Sequence, residues 1–218
     1  MAATHGKLAR VNISASVATT TTDAVGTLSS ADDKTLTIAA SSQRHWTQGT
    51  TMPRVYGATT NTEIGSYSVD YVRGIVTFAT AHSTAVAYKV DYAWYPTSFL
   101  GMTRSWSLDA SQDMADVTVF SSSTGGTRWR SFTAGLNEGT IQLGRFYASS
   151  ETSAPPFIDR QSLQSPLYVE LLPGGTEGSK FECYARIQGD AWQTGLDGPI
   201  SENVTLKVDG KLYWTTST

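Results

Sequence analysis

Between Thr103 and Phe120 the sequence TRSWSLDASQDMADVTVF alternates apolar with polar residues and then stops doing so. Trp106, Leu108 and Ala110 fall on one side of an extended chain, and Ser105, Ser107 and Asp109 on the other. That two-residue period is the mark of a strand with one face in a core. From Ser111 to Ala115 the Ser, Gln and Asp side chains offer oxygens to the local backbone, which favours a turn. Val117, Val119 and Phe120 restore β-propensity. The pattern predicts strand, polar corner and strand, then a loop SSSTGGTRWR and a further strand system over FTAGLNEGTIQLGRFY.

Other runs read the same way. Charged residues are only 16% of the 218, and six Trp, ten Tyr and seven Phe supply large apolar faces, a composition that suits sheets. GKLARVNI, Gly6 to Ile13, predicts a first strand with room for a bulge at Ala9. Ser14 to Asp23 has too little apolar content to pack and reads as a linker. After KTLTI, the runs YSVDYVRGIVTFAT and STAVAYKVDYAWYP predict a meander that turns at Arg73-Gly74 and at Ala81 to Ser83 and closes at Pro96. ETSAPP breaks the sheet, and Pro156 opens one short helix, PFIDRQSLQS. SPLYVELLP, SKFECYARIQG and NVTLKVDGKLYW are strands, the last folded as a hairpin on Asp209-Gly210.

Several function classes are disfavoured. A formal net charge of −3 without basic clustering gives no footprint for tight nucleic-acid binding. No apolar run approaches the ~20 residues of a membrane helix, and MAATHGKLAR lacks the apolar core of a signal peptide, so synthesis in the cytoplasm is expected. Cys183 shares the inward face of its strand with Phe181, Ala185 and Ile187 and reads as a buried, inert thiol. His5, His45 and His82 have no metal-ligand spacing. Asp109, Asp113 and Asp116 form the densest carboxylate group but lack a calcium-loop pattern, so backbone capping is the expected role. Gly174-Gly175 lacks the Gly-Lys-Ser/Thr ending of a phosphate cradle and reads as a hairpin tip. No catalytic residue, cofactor or metal is expected. Arg128, Trp129 and Arg130 could meet a sugar, a nucleic acid or a neighbouring subunit, and an assembly contact or packing is the preferred reading.

The strand SWSLDA, the segment Asp116, Val117, Thr118 and Phe120, the turn Gly135-Leu136 to Gly139 and the strand TIQLGRFY together resemble tail tube proteins of long-tailed bacteriophages. That likeness covers Thr103 to Trp214, with Gly6 to Ile13 as the family's first strand. Tyr67, Val69, Asp70, Tyr71, Gly74, Val76, Thr77 and Phe78 resemble a small β module that recurs in phage virion proteins. The resemblance implies a mainly β fold: a tail-tube-type β-sandwich or barrel with one short α-helix, plus an inserted all-β module. Residues 1–24 would be the first strand and linker, 25–97 the module on the outer surface, and 98–218 the main domain.

It further implies a structural virion protein, not an enzyme. Homo-hexameric rings would stack into a tube, meet initiator, terminator and tape measure proteins, and let DNA pass without holding it or touching a membrane. Asp116, Phe120, Arg128, Trp129 and Arg130 are the expected subunit contacts. A carbohydrate-binding or adhesin-type β-sandwich of a virion is the alternative, with Trp46, Trp94, Tyr95 and Trp129 stacking on sugars.

Overall fold

The computed structural model describes residues 9–15, 17–48, 53–116, 132–146, 157, 165–174, 179–194 and 198–216. Fourteen strands are present in them: β1 (Arg10–Ser14), β2 (Thr19–Leu28), β3 (Thr35–Ile38), β4 (Arg54–Gly57), β5 (Tyr67–Asp70), β6 (Ile75–Phe78), β7 (Tyr88–Trp94), β8 (Thr97–Phe99), β9 (Thr103–Asp116), β10 (Phe132–Phe146), β11 (Leu167–Leu172), β12 (Lys180–Gln193), β13 (Ser201–Val208) and β14 (Tyr213–Thr215). The fold is mainly β, as expected. One sheet has the order β8-β1-β11-β12-β13-β10-β9, with β14 also on β12, and the other has the order β4-β7-β2-β3-β6-β5.

Alternation places the core of the first sheet. Val11 and Ile13, Val169 and Leu171, Cys183 and Ala185, Val204 and Leu206, and Ile141 and Leu143 all meet in one buried cluster, with Trp106 and Leu108 packed against it. Residues of β1, next to one end of the strand order, and of β9, at the other end, thus share one core, so the sheet folds over on itself as a half-barrel. Burial pushes the Cys183 thiol up to about 12, which makes it the inert thiol that its strand position predicts. Arg145 also points inward, paired across the strands with Glu202, and both are buried. Glu202 accepts in addition from the Phe157 N–H at 3.0 Å. Phe157 is helical and buried; the rest of the expected helix lies outside the described residues.

The second sheet has its own core of Leu36, Ile38, Trp46, Val55, Val76, Phe78, Tyr88, Val90 and Tyr92. The turn at Arg73-Gly74 forms as expected: Gly74 has φ +60, and a Cβ there would lie 2.5 Å from the Arg44 carbonyl oxygen.

Six expectations are corrected. Thr19 to Asp23, expected to be linker, is the first half of β2, because pairing with β7 supplies the backbone partners that its small side chains cannot replace. The second sheet's strands therefore run from Thr19 to Trp94, and Thr97–Phe99 belongs to the first sheet, where the sequence predicts module bounds of 25 and 97. The runs around residues 75 and 90 are not meander neighbours: β2 and β3 lie between β6 and β7. No corner forms at Ser111 to Ala115, since β9 continues to Asp116 along β10, and Gly135-Leu136 is a bulge opposite Asp113 in that ladder instead of a turn. Finally, Asp209-Gly210 does not fold back a hairpin. Val208 pairs with Ala185 and Tyr213 with Glu182, so β14 continues along the same edge of β12 after a short excursion in which Gly210 has φ +94.

Candidate assembly arm and inter-sheet cleft

β10 pairs with β13 only from Thr140 to Phe146, whereas it pairs with β9 out to Phe132. Beyond Ala110 and Gly139 the two strands leave the body as a ribbon, roughly 23 Å long for seven residues at ~3.3 Å each. At its root a Cβ on Gly139 would lie 2.7 Å from Val208 Cγ2, so only glycine lets β10 pass this close to β13. Every residue of the ribbon from Ala110 to Asp116 and from Phe132 to Glu138 is exposed. Met114 is 64% exposed, Phe132 52% and Leu136 81%, apolar side chains that a free ribbon leaves in water. Among the expected contact residues, Asp116 lies here, opposite Phe132. Phe120, Arg128, Trp129 and Arg130 lie outside the described residues.

A second feature lies where the two sheets meet. β11 is buried on both faces, because its outer face is covered by the chain around His45 and Val72. The local sequences Tyr168-Val169-Glu170 and Glu182-Cys183-Tyr184 pair antiparallel, so Tyr168 faces Tyr184 and Glu170 faces Glu182. Two carboxylates opposite each other repel. Lys180 answers both, at 2.7 Å from Glu170 and 2.8 Å from Glu182. The Tyr168 hydroxyl lies 3.0 Å from Glu170 and 2.7 Å from Glu182, Asn12 Nδ2 donates to Glu170 at 2.8 Å, and Thr215 Oγ1 donates to Glu182 at 2.5 Å. Burial pushes the Glu170 carboxyl up, but the bonds from Lys180 and Asn12 outweigh it and hold the group below its ordinary range. For Lys180, burial lowers the pKa and the two glutamates reverse that, with a net rise.

His45 stacks on Tyr168 at 4.5 Å between ring centroids and meets Trp94 edge-on at 5.9 Å. It is 5% exposed, and desolvation lowers its pKa, against the charges of Glu170 and Glu182 that favour protonation. Around it, Tyr184 donates to the Trp46 carbonyl, Tyr213 donates to Asp70 at 2.7 Å, and the Arg73 guanidinium covers the Tyr213 ring at 4.5 Å. A cleft of about 500 Å³ opens between the sheets, lined by Arg44, His45, Val72, Arg73, Glu170 and Lys180 among others. The sequence signal for this site was the mirrored Tyr-x-Glu and Glu-x-Tyr of two strands. Nothing in the sequence says that those strands pair or that His45 covers them.

Among the described residues no group of three metal-ligating side chains forms. His82 packs on Phe78 and Tyr88. Asp109 and Asp113 are strung along β9 with Asp116 instead of converging. The aromatic residues expected to stack on sugars are otherwise engaged: Trp46 is buried against Tyr92, and Trp94 donates to Thr21 at 3.1 Å. Tyr95 is half-buried against the Tyr168 cluster, and Trp129 lies outside the described residues.

No family model matches the sequence, and no curated protein matches it. Among solved structures, the chain is similar to a chain in the virion of a native gene transfer agent particle, with 15% identity over 55% of this chain and 88% of that one and a TM-score of 0.43. It is also similar to a chain in the tail of an empty gene transfer agent particle with C6 symmetry, with 18% identity, coverage of 54% and 86%, and a TM-score of 0.42.

Proposed function

We propose that this chain is a structural virion protein, the major subunit of a phage-type tail tube, which closes into hexameric rings that stack into a conduit for DNA. The observation that carries the proposal is the β9–β10 ribbon. A two-stranded ribbon alone in water is marginal, and this one extends past its sheet with Met114, Phe132 and Leu136 exposed. Among the described residues β9 is also the outer strand of the sheet, and it is fourteen residues long. Long bare edges invite pairing, and closure into a ring turns that liability into the bond between subunits.

The two outer faces of the folded-over sheet suit different sides of a tube wall. On β9, β10 and β13 the face turned from the core carries Ser105, Ser107, Gln142, Asn203 and Thr205, with Asp109 and Lys207 on either side of Thr140 and Lys207 paired with Glu138. Such a lining, mostly neutral and with its lysine already paired with an acid, gives DNA phosphates little to grip, in keeping with a chain of net charge −3. The face of β11 and β12 carries the second sheet, which this arrangement puts on the outside. Initiator, terminator and tape measure proteins would meet the rings at their ends and lumen, and the role involves no catalytic step.

Met114→Asp with Phe132→Asp tests the part played by the ribbon. In sedimentation velocity the wild type should polymerise as its concentration rises, while the double variant, folded by circular dichroism, should stay monomeric. Equal assembly of both would remove the ribbon from the interface.

A further inference from the structure

We infer that the cleft between the two sheets is a binding site for a carboxylate, with Arg44 and Arg73 as the groups that receive it and His45 as the ring beside them. This does not depend on the tube reading. The acceptors lining the cleft are already answered: Glu170 by Asn12, Tyr168 and Lys180, and Glu182 by Tyr168, Lys180 and Thr215. The donors are not. Arg44 gives one terminal nitrogen to the Ile38 carbonyl at 3.1 Å, but its Nε is buried and no described group accepts from it. His45, 95% removed from solvent, lines the cleft beside it, its ring bonded to the main chain of Tyr95 and its Nε2 without a partner. A buried N–H left unanswered costs about 1–3 kcal/mol, so a site that holds the Arg44 Nε–H beside the Arg73 guanidinium is shaped for an acceptor.

Charge narrows the ligand class. Arg44, Arg73 and Lys180 face Glu170 and Glu182 across the cleft, an excess of one positive charge with His45 neutral. One negative charge balances that excess, whereas a phosphate dianion would exceed it beside two glutamates. Val72 and Ile75 give the cleft an apolar wall for the carbon stem that a carboxylate carries. A volume of about 500 Å³ admits an acidic side chain with its neighbours or a short free acid.

The full-length protein, labelled for NMR, would be titrated with butyrate, with the isosteric neutral butyramide, and with the blocked peptide acetyl-Ala-Glu-Ala-amide, reading the His45 ring signals. Saturable shifts with butyrate and none with butyramide are expected, with affinity reduced about tenfold in Arg44→Gln. Should that variant fail to fold, Arg73→Gln, at the cleft mouth, carries the same expectation. Tighter binding of the peptide than of butyrate identifies the carboxylate as one borne by a protein, and the reverse identifies a free acid. Both results uphold the site. Equal binding of butyramide and butyrate, no saturation by either carboxylate, or unchanged affinity in the folded arginine variants would overturn it.

Discussion

The Tyr184 hydroxyl of β12 donates to the main-chain carbonyl of Trp46, and both side chains are buried. One residue belongs to the first sheet and the other to the core of the second, so this bond ties the two units across a buried contact. Val72, Tyr168 and Tyr184 form the apolar part of the same contact. The second sheet is thus packed onto the first by specific groups as well as joined to it by chain.

Tyr184→Phe should therefore destabilise the protein by about 1–3 kcal/mol, because it leaves the Trp46 carbonyl buried and unanswered while keeping the ring. For a chain of this size that lowers Tm by about 2–4 °C per kcal/mol. Thermal unfolding followed by near-UV circular dichroism measures it, and an unchanged Tm would show that water reaches the carbonyl.

His45 gives a dependence on pH. Its burial lowers the pKa below the ordinary 6.5, so the unfolded chain takes up the proton first. The stability linked to His45 is then complete above the unfolded value and is lost as the pH falls through it toward the depressed folded value. Glu170 and Glu182 moderate the effect and Lys180 enhances it. Urea midpoints should fall between about pH 7.5 and 5.5 in the wild type and fall less in His45→Phe. Parallel slopes in the two proteins would remove His45 as the cause.

The alternating strands were legible in the sequence because one face of each meets a core: Trp106 and Leu108, Cys183 and Ala185, Val204 and Leu206 all point as their spacing requires. What could not be read lies where partners decide. Thr19 to Asp23 lacks apolar residues and becomes strand because β7 offers it a ladder. Ser111 to Asp116 has turn-forming side chains, yet β10 supplies the hydrogen bonds that make a turn unnecessary. Asp209-Gly210 has the composition of a hairpin, but the free edge of β12 beyond Ala185 draws the chain onward. In the cleft, His45 and Tyr168 lie 123 positions apart, and no local period relates them.

Glu202→Gln should be among the most damaging single changes, at about 3–5 kcal/mol. It removes the carboxylate beside the buried Arg145 guanidinium and weakens the acceptor of the Phe157 N–H. Urea denaturation gives the figure. A loss below about 1 kcal/mol would mean that the pair is far more hydrated than its burial indicates.

The Ala15 N–H donates to the Pro96 carbonyl at 2.6 Å, so the chain leaves the first sheet and re-enters it side by side. Replacing residues 17–95 by a short Gly/Ser linker should yield a folded, less stable protein that still forms tubes, now with a thinner wall. Loss of tubes in a soluble, folded deletion variant would place the second sheet within the ring interface.

Electron microscopy of the negatively stained, concentrated protein tests the central claim most directly. Hollow rods are predicted, with sixfold end-on views and a lumen wide enough for duplex DNA. Monomers at every concentration, with no rings or rods, would contradict it.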